Sequence, residues 1–314
     1  MRYGLPYKGS KNSIAQWIIS ELPRADYFCD LFFGGGAVTH AAILSQKYKN
    51  FIINDIDARL PKFFIDCIEG KYTILNHPEW VSRQEFKENK DADIYISLVW
   101  SFGNNGVDYL YGQDVEDMKH AYHIAVYNND LDALKPFGYK LQPSDKQGLY
   151  ERYLDFQKQI IKINDKDRGL ESLQRLIALE RINGLSSMSI GPADALNKIQ
   201  TYGTDYQNIV LPDNALIYCD IPYRNTKCDK YNGFDHDRFY EWAEKQDNIF
   251  ISEYSMPDNF IPYAYQEKIV LAAANSNSMK AKEILFTNER TFEKLDDRHK
   301  TMAKLNFCEQ MSLF

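Results

Sequence analysis

The chain has 314 residues, 44% of them apolar and 14% aromatic, enough to bury the cores of two domains or of one fold with a large insertion. No run approaches the ~20 consecutive apolar residues of a membrane span, and the N-terminus lacks the apolar region of a signal peptide, so a soluble, cytoplasmic protein is expected. A net charge of −7 offers phosphate no general attraction, and the scattered Cys29, Cys67, Cys219, Cys228 and Cys308 never form a Cys-x-x-Cys pair, which favours buried reduced thiols over disulfides or a zinc site.

Charge is unevenly distributed. Acids concentrate between Glu85 and Asp132, whereas Arg2, Lys8 and Lys11 cluster at one end and Lys280, Lys282, Arg298, Lys300 and Lys304 at the other. A basic cleft on an acidic body and a uniformly solvated surface both fit this distribution.

Tyr7-Lys8-Gly9-Ser10-Lys11 precedes a helix predicted from Ser13 to Glu21, with Ile14, Trp17 and Ile18 at helical spacing. A Gly-Ser pair between lysines at a helix entrance suits an anionic group, and it serves equally as a basic N-terminal cap. From Tyr27 the chain reads as an apolar strand, then Asp30-Leu31-Phe32-Phe33-Gly34-Gly35-Gly36, then a helix. Glycines at 34 and 36 let backbone approach a ligand where a Cβ would clash. A second strand, Phe51 to Ile53, ends at Asn54-Asp55, and an acid at that tip is placed to accept both ribose hydroxyls of an adenosine. Strand, glycine turn, helix, strand and acid in this order make a nucleoside-binding βαβ unit. Thr39 stands where a dinucleotide fingerprint wants a third Gly or Ala, and Asp30 can meet a cationic amino group; both favour S-adenosylmethionine (AdoMet) over a nicotinamide cofactor.

From about Arg59 to Tyr202 the pattern changes to helices and loops. Helices are predicted over Pro61 to Glu69, Gln84 to Lys90, Val115 to Tyr127, Gly148 to Ile163 and Leu170 to Ile182, with a polar turn from Asn164 to Gly169. His120 and His123 share a helix without a Cys or Glu-His partner, so no metal site is expected. Trp100 to Gly112 interleaves aromatics with Gly and Asn, a composition that suits either a loop stacking on bases or the plug of a helical subdomain.

Asp205-Tyr206 follows, with Asp205 expected at the end of a third strand beside the second, able to accept from an adenine amino group. A strand over Ala215 to Cys219 then leads into Asp220-Ile221-Pro222-Tyr223. The lone pair of an exocyclic nucleobase amine is delocalised into its ring. An ionised carboxylate and a fixed main-chain carbonyl can accept its two hydrogens and localise the pair on nitrogen. Pro222 locks its own φ and biases Ile221 towards an extended conformation, pre-aiming the Ile221 carbonyl, and Tyr223 can stack on the base. A helix is predicted over Asp237 to Lys245, strands over Ile249 to Glu253, Lys268 to Ala273 and Ile284 to Thr287, and an exposed loop over Asn275 to Lys282.

The ordered set of Tyr7 to Lys11, Asp30 to Val38, Asp55, Asp205-Tyr206, Asp220 to Tyr223 and Phe234-Asp235 resembles the Dam-like, α-class DNA adenine-N6 methyltransferases. The resemblance covers both ends of the chain well and the middle poorly. It implies an α/β fold, a Rossmann-like AdoMet-dependent methyltransferase sheet over residues 1–59 and 204–314, with a mostly helical target-recognition domain inserted over 60–203. It implies AdoMet as cofactor, held by Tyr7, Lys11, Asp30, Phe32, Gly34, Gly36, Asp55, Asp205, Tyr206 and Asp220. The implied catalytic tetrad is Asp220, Ile221, Pro222 and Tyr223. Double-stranded DNA is the implied partner, bound in a cleft between the domains with the target adenine flipped out. A monomer is expected, and a cognate restriction endonuclease is a further partner this reading admits. The chain departs from the family by Ile221 in place of the first proline of Asp-Pro-Pro-Tyr and by Tyr7 in place of Trp. The alternatives are methyl transfer to another planar amine (cytosine N4, an RNA adenine or a protein glutamine amide) and a DNA-binding relative without catalysis.

Overall fold

A computed structural model describes residues 3–163, 169–184, 196–224, 233–271 and 278–301. In chain order the elements are α1 (Ala15–Glu21), β1 (Tyr27–Asp30), α2 (Ala37–Ser45), β2 (Asn50–Asn54), α3 (Arg59–Ile68), α4 (Arg83–Asn89), α5 (Ile94–Val99), α6 (Glu116–Asn128), α7 (Leu149–Ile163), α8 (Glu171–Asn183), β3 (Ile199–Tyr202), β4 (Leu216–Cys219), α9 (His236–Ala243), β5 (Ile249–Glu253), β6 (Phe260–Leu271), β7 (Ser278–Asn288) and α10 (Glu289–Lys294). The chain divides into two compact units, one of residue 1, 11–62 and 193–314, the other of 2–10 and 63–192.

The first unit is built on a seven-stranded sheet, ordered β3-β2-β1-β4-β5-β7-β6. The pairs from β3 through β5 are parallel, while β7 runs antiparallel between β5 and β6. β1, β2, β4 and β5 are apolar and almost wholly buried, as strands covered on both faces must be. This is the expected Rossmann-like methyltransferase sheet. Because β1 continues outward to β2 and β3 on one side and to β4 and β5 on the other, the β1/β4 boundary is a topological switch point. There the loops after two neighbouring strands diverge and leave a crevice.

The last hairpin is longer than its sequence suggests. β6 starts at Phe260, and residues 278–282, expected in a loop, pair with β6 through the register Lys282↔Glu267 and Lys280↔Ile269. Backbone pairing with a partner strand overrides the low β-propensity of that polar run. Residues 275–277 of that expected loop, the last two residues of the strand expected over Lys268 to Ala273, and 164–168 of the expected polar turn lie outside the described residues.

The second unit is helical, and the five predicted helices appear within two residues of their expected ends. It contains a further helix, α5, which Asp93 caps by accepting the Tyr95 and Ile96 N–H groups. The aromatic loop after it is a small hairpin closed by an antiparallel Ser101–Tyr109 bridge. Trp100, Tyr109, Leu110 and Tyr111 are buried, while Phe102 and Val107 stand 64% and 65% exposed near its tip, so the stretch is part core and part presented surface. His123 belongs to an aromatic cluster with Trp80 and Tyr127, its Nε2 lying 2.7 Å from the Pro78 carbonyl oxygen. No helix among the described residues is long and apolar enough to cross a membrane.

Candidate active site

Parallel pairing brings the C-terminal ends of β1, β2, β4 and β5 to one edge of the sheet. Each of those strands ends in acid: Asp30 closes β1, Asp55 follows β2, Asp220 follows β4 and Glu253 closes β5. β7 adds another, because the antiparallel register Glu253↔Ile284 sets Glu283 at the same edge.

The glycine turn after β1 is held on two sides. The Leu31 N–H donates to the Tyr218 carbonyl at 3.1 Å and the Phe33 N–H to the Asn54 carbonyl at 2.9 Å. Gly34, at φ +49°, donates its N–H to Asp55 Oδ2 at 2.8 Å, and Asp55 Oδ1 accepts the Asp57 N–H at 2.9 Å. Asp55 therefore ties the tip of β2 to the turn through Oδ2, while Oδ1 secures the chain just after β2. Asn54 secures the same corner, its side chain donating to the Leu31 and Thr204 carbonyls and accepting from the Thr204 N–H.

Gly36 caps α2 in the left-handed region, at φ +64°, and a Cβ there would lie 2.1 Å from the Phe33 ring. Gly36→Ala should destabilise the protein by about 2 to 4 kcal/mol, the sum of left-handed strain and overpacking. Thermal unfolding measures it, and a melting midpoint equal to that of the parent protein refutes the assignment.

Asp30 is 2% exposed. Its Oδ2 accepts a 2.7 Å hydrogen bond from the Thr39 hydroxyl, while Oδ1 has no hydrogen-bond partner among the described residues. Burial pushes its carboxyl up to about 7; the Thr39 bond and the Phe32 backbone N–H oppose the rise, and the charges of Asp220 and Asp55 add to it. A buried carboxylate oxygen short of a well-aligned donor is suited to a cationic N–H group.

The segment after β4 is fixed residue by residue. Ile221 is 2% exposed and packs into the core of the sheet with Phe239, Tyr240 and Ala243 of α9. The Pro222 carbonyl accepts from His236 Nε2 at 2.7 Å. Asp220 is 23% exposed and its Oδ1 accepts from Lys11 Nζ at 2.7 Å; Lys11, 7% exposed, also lies 3.5 Å from Glu283 Oε1. Burial alone would lower the Lys11 pKa, but Asp220 and Glu283 outweigh it and hold the ammonium charged. Tyr223 donates its hydroxyl to Glu283, carries Lys11 Nζ 4.6 Å from its ring centroid, and meets the Tyr254 ring edge to face at 4.4 Å. Glu253 is 2% exposed, its Oε1 accepts the Tyr254 N–H, and the Arg224 backbone N–H also favours its charged form. Burial carries its carboxyl up to about 7 as well.

The sequence-predicted residues thus fall into three groups. Asp30, Gly34, Gly36, Asp55, Asp220 and Lys11 are built into the edge around the switch point. Asp205, three residues beyond β3, accepts the Gln207 N–H and pairs with Arg238 at 2.9 Å, and Tyr206 packs against Phe32, Phe239 and Trp242 in one aromatic cluster. Tyr7 belongs to the other unit, where its carbonyl accepts the Ser10 N–H at 3.2 Å. Sequence reasoning misses Thr39 as the clamp on Asp30, as well as Glu253, Glu283 and His236. Glu253 closes a predicted strand and His236 directly follows Phe234-Asp235, so two of the four carry a local signal; Glu283 carries none.

Comparison with protein families matches residues 7–167, just over half of the chain, to the model described as D12 class N6 adenine-specific DNA methyltransferase. The match spans the glycine turn and Asp55 and ends before β4. No curated protein matches the chain.

Proposed function

The chain belongs to the D12 class N6 adenine-specific DNA methyltransferase family, and from that premise we propose that it methylates N6 of an adenine flipped out of duplex DNA, with AdoMet as the methyl donor. The observation that carries this reading is the proximity, at one switch point, of an unpartnered buried carboxylate oxygen on Asp30 and a lysine-paired carboxylate on Asp220. The first suits the ammonium of an amino-acid cofactor; the second suits the N–H groups of a planar amine.

Bound AdoMet supplies an electrophilic methyl on a sulfonium. Asp30, held in orientation by Thr39, accepts from the cofactor's ammonium, and the glycines at 34 and 36 admit its backbone-hugging chain. Asp55, at the tip of β2, is the acid suited to ribose hydroxyls. On the acceptor side, the Asp220 carboxylate and the Ile221 carbonyl take the two N6 hydrogens. They turn the nitrogen lone pair out of the ring plane and into line with the methyl, a positioning effect worth several kcal/mol. The proton that N6 releases on methylation already lies in the Asp220 hydrogen bond, and the partial exposure of that carboxylate provides an exit to water. Tyr223, anchored through Glu283, supports the base, and the apolar tip at Phe102 and Val107 supplies surface for the nucleic acid.

The test is product identification. The protein is incubated with methyl-labelled AdoMet and duplex DNA free of methylated bases, and the DNA is digested to nucleosides. Label should appear in N6-methyldeoxyadenosine. Label in N4-methyldeoxycytidine, or transfer only to RNA or protein, would overturn the acceptor assignment.

A further inference from the structure

We propose that His236 is a positioning residue for methyl transfer, its Nε2–H holding the Pro222 carbonyl and so fixing the peptide that leads from Pro222 into Tyr223. The inference rests on the proposed role of the Ile221 carbonyl as an N6 acceptor.

The loop between Asp220 and Tyr223 has few torsions that matter. Pro222 fixes its own φ through its ring, and its presence restricts ψ of Ile221 to the extended region. Beyond Asp220 itself two torsions remain: φ of Ile221, which a proline at that position would have locked, and ψ of Pro222, which decides where the following peptide and the Tyr223 ring point. The first is restrained by packing, since the Ile221 side chain is buried among β-sheet and α9 residues. The second is restrained by His236, whose Nε2 lies 2.7 Å from the carbonyl oxygen of that very peptide.

His236 is itself immobilised. It opens α9, whose N-cap Asp235 accepts the Arg238 N–H at 2.9 Å, and Phe239, Tyr240 and Ala243 of the same helix are buried in the core that holds Ile221. Phe234 meets the imidazole edge to face with centroids 4.9 Å apart. The helix that packs on Ile221 therefore also carries the donor that fixes Pro222, and the two restraints act as one. The hydrogen bond requires the proton on Nε2, so the neutral ring is the Nε2–H tautomer.

The experiment compares His236→Phe, His236→Gln, Ile221→Pro and the double variant Ile221→Pro/His236→Phe. His236→Phe should lower kcat about tenfold with KM for AdoMet within about twofold and an unchanged melting midpoint, because misaiming affects the transition state rather than cofactor binding. His236→Gln, which keeps an N–H donor, should recover at least half of the activity. In the Ile221→Pro background the His236→Phe loss should stay within about threefold of its size in the parent, since a proline at 221 locks φ of that residue and leaves ψ of Pro222 to His236. A kcat unaffected by His236→Phe, a His236→Gln variant as slow as His236→Phe, or a loss abolished in the Ile221→Pro background overturns the proposal; where the Ile221→Pro protein does not fold, the comparison of His236→Phe with His236→Gln decides alone. Independently of turnover, nitrogen NMR of the cofactor-free protein should show the neutral His236 ring protonated at Nε2, and an Nδ1–H tautomer also overturns it. A parent protein inactive on DNA overturns the reading of the Ile221 carbonyl instead, and the NMR result then still reports the hydrogen bond.

Discussion

Asp220→Ala should reduce turnover by at least about a thousandfold, the scale on which preorganised polar groups at a reacting centre act, while leaving AdoMet affinity within about tenfold. The asymmetry comes from geometry. Asp220 stands after β4 with its Oδ1 bonded to Lys11, in a site that other acids crowd. In the proposed arrangement Asp30 meets the cofactor's ammonium, so the loss of the Asp220 charge should fall mainly on the acceptor amine. The variant should fold. Lys11 keeps Glu283 as a partner at 3.5 Å, so no buried ammonium is left without a counter-charge. Asp220→Asn provides the isosteric control; it preserves shape and removes charge, and should lose most of the same activity. Single-turnover methyl transfer and calorimetry with AdoMet measure the two halves, and a variant that retains turnover within tenfold of the parent refutes the assignment of Asp220.

How legible these features are in sequence depends on whether their constraints are local. The glycine turn is readable because positive φ at Gly34 and Gly36 restricts the residue type directly. Asp55 and Asp220 are readable because an acid just beyond an apolar run marks the carboxyl end of a parallel strand. A third strand beside the second is expected from the order of motifs, but its bounds are not readable: three of its four side chains, Gln200, Thr201 and Tyr202, face solvent, and an edge strand of that kind has no apolar alternation to betray it. α5 reads Ile-Tyr-Ile-Ser-Leu-Val, whose branched residues suit a strand as well as a helix; the Asp93 cap and the burial of Tyr95, Leu98 and Val99 decide for helix. Glu283 sits in a polar run that looks solvated, and only its antiparallel pairing beside β5 makes it a fully buried acid against Lys11 and Tyr223. Tertiary context, absent from any window of the chain, settles those cases.

That context also concentrates negative charge. Asp220 acts on both Asp30 and Glu253, Glu283 acts on Glu253 as well, and Lys11 is the counter-charge that Asp220 and Glu283 share. Such crowding opposes folding and favours a cationic ligand by the same physics, since an incoming positive group relieves repulsion already present in the empty protein.

Asp30→Asn should accordingly stabilise the cofactor-free protein at pH 8 relative to pH 5 while weakening AdoMet binding. The sign follows from linkage. The Asp30 carboxyl is raised from 3.8 to about 7 in the folded protein, chiefly by burial, so the native state holds a proton that the unfolded chain gives up. The stability associated with that proton is fully present below about pH 4 and is lost as pH rises through 7, an effect of about 3 to 4 kcal/mol for a shift of this size. Asparagine cannot ionise and removes the decline. Its amide leaves a donor to satisfy beside Thr39, which costs about 1 to 3 kcal/mol at every pH. The decisive quantity is therefore the change with pH in the difference between the two proteins, not its value at one pH. Melting curves between pH 5 and 8 should show the parent falling relative to the variant as pH rises. AdoMet affinity should rise over the same interval in the parent, as Asp30 deprotonates to meet the ammonium, and stay flat and about tenfold to a hundredfold weaker in the variant. Parallel melting curves at all pH values, or a variant that binds AdoMet as tightly as the parent at pH 8, would remove Asp30 from the cofactor site and leave its buried oxygen without a ligand to explain it.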